Sequence, residues 1–307
     1  MNDFTANITD SHLAIEMDRV GKRYPHFTLE NISLELPHGS IMGFIGANGA
    51  GKSTTIRILM GLVHPEQGEV RVLNHRMPSE QVLAKRDIGF VSEDMRLYGS
   101  ATLAWHMDLI RSIYPGWNQV YADHLCTRFD LKPQQKVKGL SHGQRVKAAL
   151  LLVLARRPRL LILDEPTTGL DPVARREVLD ELMEVLADAN RTILFSSHNT
   201  LDVEQISDQI TFIDRGRIID SADKESYLDS WRRLRLDIPP GVVPPTLPGI
   251  VEVGGSGRFS VLTINRFDPA MPALFQDAGA TVQGVDRMTL EEIFISNVHS
   301  RRERQAI

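Results

Sequence analysis

The sequence predicts an α/β fold in which a helical segment interrupts a mixed β-sheet, followed by a small α+β region. Short continuous apolar runs, such as SIMGFI at 40–45 and LLIL at 160–163, are typical of strands buried on both faces. Between residues 101 and 157 apolar residues recur at spacings of three and four, which predicts helices. After about residue 228 the composition changes, which indicates a second domain.

The first domain is predicted over residues 13–228, after an N-terminal tail at 1–12. Residues 13–45 alternate between apolar and polar residues as antiparallel strands do. A helical insertion is expected over about 95–157. Further strand patterns lie at GEVRVLN (68–74), TILF (192–195) and QITFI (209–213).

A proline-rich linker is predicted over residues 229–248, because IPPGVVPPTLPG holds five prolines in twelve residues. Residues 249–307 are then predicted to form a small α+β accessory domain. It contains a hairpin, a helix near 270–278, a short strand and a last helix that begins TLEEIFISNV. Thr289 and Glu292 have the spacing of a helix capping box.

The composition excludes several classes of protein. The chain has 307 residues, 42% of them hydrophobic, which is enough to bury a core. Its formal net charge of −4 argues against a generally basic protein, so no nucleic-acid partner is expected. The one cysteine, Cys126, cannot form an internal disulfide and is interpreted as a small buried residue rather than a reactive thiol.

We expect a cytoplasmic chain. No apolar run approaches the about 18 residues that a membrane-spanning helix needs. The longest, AALLLVLA at 148–155, is predicted to be a buried helix. The first twelve residues carry acids and lack a basic region followed by an apolar one, which is not the pattern of a signal peptide.

A glycine-rich stretch directly after SIMGFI predicts a phosphate-binding loop. It fits the pattern G-x-x-x-x-G-K-[ST], with a buried strand before it and a helix after it. Lys52 is expected to meet the β- and γ-phosphates of a nucleotide and Ser53 to coordinate Mg²⁺, whereas the alternative is an ordinary glycine turn. The predicted nucleotide-binding residues are Gly46, Ala47, Asn48, Gly49, Ala50, Gly51, Lys52, Ser53 and Thr54.

Two acids follow the buried strand LLIL. Asp164 is predicted to hold the magnesium ion through water, and Glu165, one residue further, to orient and deprotonate the attacking water. Alone, such a strand end is a weak signal, because strands often end in acids. Together with the glycine loop it predicts a nucleotide-hydrolysing site.

The segment LSHGQ at 140–144 predicts a capped helix start, with Ser141 at the capping position and Gln144 three residues on. Such a helix start also attracts anions. In isolation this segment indicates no more than a well-capped helix.

With these motifs in order, residues 13–222 resemble the nucleotide-binding subunit of an ATP-binding cassette (ABC) transporter. GANGAGKS resembles the Walker A loop, LLILDE the Walker B strand, and LSHGQ the signature, which is usually LSGGQ. GLD at 169–171 resembles the D-loop, His198 in FSSHN the switch histidine, and Tyr24 the aromatic residue that stacks on adenine. The resemblance implies a P-loop NTPase (RecA-like) core with an antiparallel β subdomain and an inserted α-helical subdomain.

The resemblance also implies partners and site residues. Two cassettes, as a homodimer or heterodimer, sandwich two ATP molecules head to tail, and a separately encoded membrane subunit is attached. The protein would then lie at the cytoplasmic face of the membrane through that partner, with Mg²⁺ as cofactor. Catalysis is assigned to Glu165, His198 and Lys52. The opposite subunit's nucleotide is contacted by Ser141, Gly143, Gln144 and Asp171.

Several of these residues have simpler interpretations. His198 and Asp171 stand where each could begin a helix, and Tyr24, before Pro25, could close a loop. His142 departs from the usual glycine, and we expect it to tune affinity without abolishing binding. Glu93 stands where the family has a glutamine that touches Mg²⁺, so it is either a carboxylate metal ligand or an uninvolved loop acid.

The segment TLEEIFI is similar to one that ends many cassettes of ABC-2 type exporters, which favours an exporter. The segment SEDMRLY at 92–98 joins core to insertion and is expected to line the groove for the membrane subunit. Alternatives are a soluble ABC ATPase acting on ribosomes or DNA, and a nucleotide switch without turnover. The single cassette without a coiled-coil insertion disfavours the first, and Glu165 disfavours the second.

Overall fold

The structure is a computed structural model that describes residues 12–185 and 191–305, with side chains as far as 302. Apart from His12, the predicted N-terminal tail therefore lies outside the described residues. Contacts between residues divide the chain into two compact units, one ending at Ile218 and one beginning at Ile219.

Fourteen strands are assigned in the described residues. They are β1 (Leu13–Tyr24), β2 (Phe27–Pro37), β3 (Ile41–Ile45), β4 (Gln67–Val72), β5 (His75–Arg76), β6 (Ile88–Ser92), β7 (Leu160–Asp164), β8 (Thr192–Ser197), β9 (Gln209–Asp214), β10 (Arg217–Asp223), β11 (Arg232–Asp237), β12 (Ile250–Ser256), β13 (Phe259–Ile264) and β14 (Thr281–Arg287).

Ten α-helices and one short 3-10 turn (Val137–Gly139) are assigned in the same residues. The helices are α1 (Lys52–Leu59), α2 (Gln81–Ala84), α3 (Leu103–Ile113), α4 (Gln119–Arg128), α5 (His142–Leu154), α6 (Pro172–Val185), α7 (Thr200–Ile206), α8 (Lys224–Ser230), α9 (Met271–Asp277) and α10 (Leu290–Gln305).

The first unit is built on a sheet in which five of its strands follow the order β9-β3-β8-β7-β6. The pairs β9–β3, β3–β8, β8–β7 and β7–β6 are parallel. All residues of β3, β7 and β8 are buried, which is why their sequences are continuous apolar runs rather than alternating ones. The carboxyl ends of parallel strands meet at one edge, so the residues after β3, β7 and β8 are brought together there.

An antiparallel sheet with the order β2-β1-β4-β5 belongs to the same unit. In β1 and β2 apolar residues alternate with exposed ones and contribute to the same hydrophobic core as β3 and α1. The helical insertion comprises α3, α4 and α5. Cys126 is buried in α4, where burial and the nearby Asp123 carboxylate raise the pKa of its thiol, as expected for a residue that packs rather than reacts. The predicted α/β core with an antiparallel subdomain and a helical insertion is confirmed.

The second unit contains a four-stranded sheet with the order β12-β13-β11-β14, and all pairs that involve β11 or β13 are antiparallel. Its core holds Leu234, Leu236, Leu262, Ile264 and Phe275. The hairpin, the helix after it and the capping box of α10, in which the Glu292 N–H donates to Thr289 Oγ1, lie where the sequence predicts them.

The boundary between the units differs from the predicted one. Residues 232–237, placed in the linker by the sequence, form β11 between β13 and β14. Leu234 and Leu236 alternate with arginines, and their burial at 0% and 1% exposure ties this strand to the second core. Within the predicted linker, the proline-rich residues 238–248, which follow β11, form neither helix nor strand. Among the described residues no helix has both the length and the apolar character required to cross a membrane.

Candidate functional site

The glycine-rich loop leaves β3 and enters α1 by a path that side chains would block. A β-carbon at Gly46 would lie 2.5 Å from the Ile213 carbonyl oxygen, so the backbone passes too close to β9 for any other residue. Gly51, the N-cap of α1, has φ 117°, a conformation that L-residues rarely adopt. The loop therefore presents backbone N–H groups and a helix N-terminus to the space above it, which is the arrangement that binds anions.

Lys52 is the first residue of α1 and is folded back over this loop. Its Nζ donates a 2.7 Å hydrogen bond to the Gly46 carbonyl oxygen and lies 3.4 Å from that of Ala47. The same atom lies 3.0 Å from Oε1 of Glu165, and the Lys52 side chain is only 5% exposed. The lysine thus links the loop to the end of β7.

Glu165 follows β7 with φ 54°, a strained backbone conformation for a residue with a β-carbon. Its Oε2 accepts hydrogen bonds from Thr168 Oγ1 at 3.1 Å and from His198 Nδ1 at 2.7 Å. Because a carboxylate accepts, His198 carries a proton on Nδ1 in this contact. His198, the residue directly after β8, is thereby brought to Glu165.

The oxygen donors predicted for a metal lie near the same sheet edge. Asp164 is 8% exposed, and its Oδ1 accepts a 2.6 Å hydrogen bond from Ser196 Oγ. The exposed Glu93 donates its backbone N–H to the Asp164 carbonyl oxygen at 3.1 Å. Ser53 lies in the first turn of α1. A hydroxyl and two carboxylates are hard donors of the kind that Mg²⁺ prefers.

A cavity of about 410 Å³ lies over the loop. Its walls are residues 47–49 and 51–54 of the loop together with His26, Phe27, Glu93 and Glu165. Lys52, Ser53, Glu93 and Glu165, all predicted from the sequence, therefore face one space. The Gly46 carbonyl oxygen, which accepts from Lys52, and the buried Ala50 belong to the loop but are not among the residues that line this cavity.

The aromatic side of this cavity differs from the prediction. Tyr24, at the end of β1, is 39% exposed, and its ring centroid lies 6.5 Å from that of Phe27. Phe27 and His26, rather than Tyr24, line the cavity. One signal for them is visible in the sequence: His26 lies in the short turn between the alternating strands β1 and β2, and Phe27 is the first residue of β2.

The signature segment begins α5 with the predicted capping box. Gln144 donates its backbone N–H to Ser141 Oγ at 3.2 Å, and the Ser141 N–H donates to Gln144 Oε1 at 3.0 Å. Gly143 lies in the first turn, where a β-carbon would be 3.6 Å from Leu170 and Ala174. Of the described residues that line the cavity over the loop, none belongs to the signature.

Asp171 begins α6, as its simpler interpretation expects. Its Oδ1 accepts the backbone N–H groups of Ala174 at 3.0 Å and Val173 at 2.9 Å. These hydrogen bonds, that of Ala174 first, hold the pKa of the Asp171 carboxyl below its usual range. The carboxylate is therefore charged and already engaged at neutral pH.

Sequence reasoning missed two polar residues that hold predicted ones and a third that fixes the loop after Glu165. Thr168 contacts Glu165, Ser196 contacts Asp164, and Thr167 Oγ1 donates to the buried Asp202 Oδ2 at 2.7 Å. Each is a threonine or serine next to a singled-out motif, which is the only sequence signal for it.

Comparison with known proteins agrees with this geometry. The ABC transporter family matches residues 29–168, which include the glycine loop, the signature and the end of β7. The daunorubicin resistance ATP-binding protein DrrA3 of Streptomyces coeruleorubidus is 32% identical over 300 residues, covering 92% of this chain and 95% of that protein. The Nod factor export ATP-binding protein I of Sinorhizobium fredii (strain NBRC 101917 / NGR234) is 32% identical over 234 residues, covering 74% and 68% respectively.

A solved structure shares the fold. It is a dimeric ATP-binding cassette in a post-hydrolysis state, bound to ADP and Pi, with a TM-score of 0.62 and 23% identity over 68% of this chain and 98% of that one. The glycine-rich loop, the adjacent carboxylates Asp164 and Glu165 and the capped start of α5 together define a P-loop nucleotide-binding ATPase. The chain belongs to the ABC transporter family and is an ATP-binding, ATP-hydrolysing subunit of that family.

Proposed function

We propose that this chain works as a head-to-tail dimer that drives a separately encoded membrane subunit, as the ATPase of an exporter. One observation carries the dimer: Ser141 and the catalytic candidates Lys52 and Glu165 belong to one chain, yet no signature residue lines the cavity over the loop. An exposed, capped helix N-terminus that does not face the loop cavity of its own subunit suits a nucleotide held by a second copy. The dimeric state of the solved cassette supports this arrangement.

Within each site the chain's own residues have distinct roles. The loop residues 46–54 bind the phosphates, with Lys52 on the β- and γ-phosphates. Tyr24, whose ring lies 6.5 Å from the cavity-lining Phe27, is proposed to stack on adenine beside this cavity. Glu165 orients the attacking water and takes its proton, while His198 holds the carboxylate in place through Nδ1. The second subunit contributes Ser141, Gly143, Gln144 and Asp171.

Mg²⁺ is the proposed cofactor, held by Ser53, Asp164 and Glu93. Their hydroxyl and carboxylate oxygens fit a hard cation, and Ser53 and Glu93 line the cavity itself. When bound, the ion neutralises charge on the phosphate oxygens.

The groove for the membrane subunit is proposed at residues 95–98. They line an apolar cavity of about 330 Å³ together with Leu109 of α3 and Leu152 of α5. Tyr98 is 68% exposed and Met95 40% exposed, so this groove presents apolar side chains at the surface. Through this contact the protein would lie on the cytoplasmic face of the membrane.

The export role rests on the similarity to a Nod factor export protein and on the TLEEIFI segment.

The test is co-expression with a multi-span membrane protein encoded beside this chain's gene, followed by affinity purification in detergent. We expect a stable complex whose ATPase activity exceeds that of the isolated chain. Tyr98→Ala should lose the complex and keep basal ATPase, whereas Val120→Ala, at an 81% exposed position of α4, should keep both. The proposal is contradicted if Tyr98→Ala forms the complex as well as wild type does. It is also contradicted if no membrane protein encoded beside the gene forms a complex with the chain.

A further inference from the structure

His142, the histidine that replaces the usual signature glycine, contacts the loop that follows Glu165. Its Nε2 lies 3.0 Å from the Thr168 carbonyl oxygen. Because a carbonyl oxygen only accepts, Nε2 carries the proton in this contact. The ring also lies against Gly169, where a β-carbon would be 3.1 Å from Nε2. A glycine at position 142 has no side chain to make either contact.

Thr168 passes this contact on to Glu165. While its carbonyl accepts from His142, its Oγ1 donates to Glu165 Oε2 at 3.1 Å. The Thr168 backbone N–H also donates to the Glu165 carbonyl oxygen at 3.3 Å. Two side-chain hydrogen bonds therefore connect the first turn of α5 to the carboxylate that is proposed to activate water.

The same loop is fixed on its other side. Thr167 Oγ1 donates to Asp202 Oδ2 at 2.7 Å, and Asp202, at the start of α7, is 3% exposed. The Thr167–Asp202 hydrogen bond fixes the loop to α7 but gives the Thr168 carbonyl no side-chain partner from α5. His142 supplies the second anchor, and two anchors on adjacent residues leave the Thr168 hydroxyl little freedom to leave Glu165.

His142, Thr168 and Glu165 line a second cavity, of about 420 Å³, which also reaches Glu93. Glu165 and Glu93 are the residues that this cavity shares with the cavity over the loop. The orientation of Thr168 therefore bears on which of the two spaces the Glu165 carboxylate faces.

We propose that His142 is a positioning residue for ATP hydrolysis: it holds the Thr168 carbonyl so that the Thr168 hydroxyl keeps the Glu165 carboxylate oriented. The inference rests on the proposed role of Glu165 as the base. His142 acts within its own chain through Thr168, so it affects the rate of the hydrolytic step rather than the affinity for ATP, which differs from the effect on affinity expected from the sequence. The replacement of glycine at this place is then an added contact, not a tolerated defect.

The first test compares steady-state ATPase kinetics of single variants. His142→Ala should lower kcat by about 3- to 10-fold, the effect of one lost hydrogen bond, with KM for ATP changed less than about twofold. His142→Gln, whose amide can donate to the same carbonyl, should recover most of the rate. His64→Ala, at an exposed histidine between α1 and β4, is the matched control and should behave as wild type. A raised KM with unchanged kcat, or no recovery with glutamine, overturns the proposal.

The second test is a double-mutant cycle with Thr168→Val, which removes the hydroxyl and keeps the carbonyl. If His142 acts through Thr168, the double variant hydrolyses ATP about as slowly as Thr168→Val alone. Losses that multiply mean that the two residues act independently, which overturns the proposal.

A third measurement separates positioning from nucleotide binding at the interface. In a Glu165→Gln background, His142→Ala should leave ATP-dependent dimerisation, measured by light scattering, unchanged. A weakened dimer would place His142 at the interface instead and overturn the proposal. If Glu165→Gln forms no dimer at all, the proposed head-to-tail function fails, while the double-mutant cycle on kcat still decides the role of His142.

Discussion

Lys52 Nζ lies 3.0 Å from Glu165 Oε1, and the two side chains are 5% and 10% exposed. The contact is ionic rather than an aligned hydrogen bond, because Oε1 has no hydrogen-bond partner among the residues that the structure describes. The proposed phosphate-binding lysine and the proposed base thus neutralise each other. A bound phosphate must draw Lys52 away from Glu165, and the same movement frees the carboxylate for water.

This pairing predicts that removing the charge of Glu165 strengthens nucleotide binding. In Glu165→Gln the lysine loses its competing anion, so we expect ADP to bind about 3- to 10-fold more tightly, the effect of roughly 1 kcal/mol of lost competition. ADP is the probe because the expected closure of the dimer requires a γ-phosphate. Isothermal titration calorimetry measures the affinity. Glu165→Asp keeps the charge and serves as the matched control, and equal ADP affinities for Glu165→Gln and wild type would contradict the pairing.

A second prediction concerns shared sites. Lys52→Ala and Ser141→Arg subunits are each expected to be inactive, but a mixed dimer holds one intact composite site. With random mixing and independent sites, about a quarter of wild-type ATPase should return. Strong coupling of the two sites would lower this fraction. If mixed dimers are shown by mass spectrometry and no activity returns at any ratio, Ser141 does not act on the other subunit's nucleotide.

A third prediction concerns Glu93, which lines the cavity with Ser53 and Glu165. A carboxylate offers Mg²⁺ a full charge, whereas without the metal it is repelled by phosphate, by about 4 kcal/mol at 4 Å with an effective dielectric near 20. Glu93→Gln should therefore stay folded and active but need more Mg²⁺ for half-maximal ATPase.

Magnesium titration at fixed saturating ATP measures that effect. Asp94→Asn is the control, because this neighbouring acid is 87% exposed and pairs with Arg57 at 3.6 Å instead of lining the cavity. Superimposable curves for Glu93→Gln and wild type would return Glu93 to the interpretation of an uninvolved loop acid.

The parts of the site that are predictable from the sequence are formed by residues that are close together along the chain. The glycine loop lies between a buried strand and a helix, and the Ser141–Gln144 capping box spans three residues, so local spacing was sufficient. The contacts that it missed join distant segments: His142 to Thr168 across 26 residues, and Thr167 to Asp202 across 35. Such pairs depend on how α5, α6 and α7 pack, which spacing along the chain does not determine.

The predicted start of the linker differs from the structure for another reason. The prolines after residue 238 indicate a linker, but the linker predicted from them also includes RRLRLD at 232–237, in which apolar and charged residues alternate. That alternation is the period of a strand with one buried face, and Leu234 and Leu236 are buried accordingly. The prolines then follow β11 rather than begin the second unit.

The central claim is that ATP closes two copies of this chain around shared sites and that Glu165 reopens them by hydrolysis. Glu165→Gln should bind ATP, hydrolyse it slower by about two or more orders of magnitude, and therefore remain closed. Light scattering with Mg-ATP, at concentrations well above the ATP affinity, should report a stable dimer for this variant and monomers with ADP. Monomers alone in Mg-ATP would contradict the account.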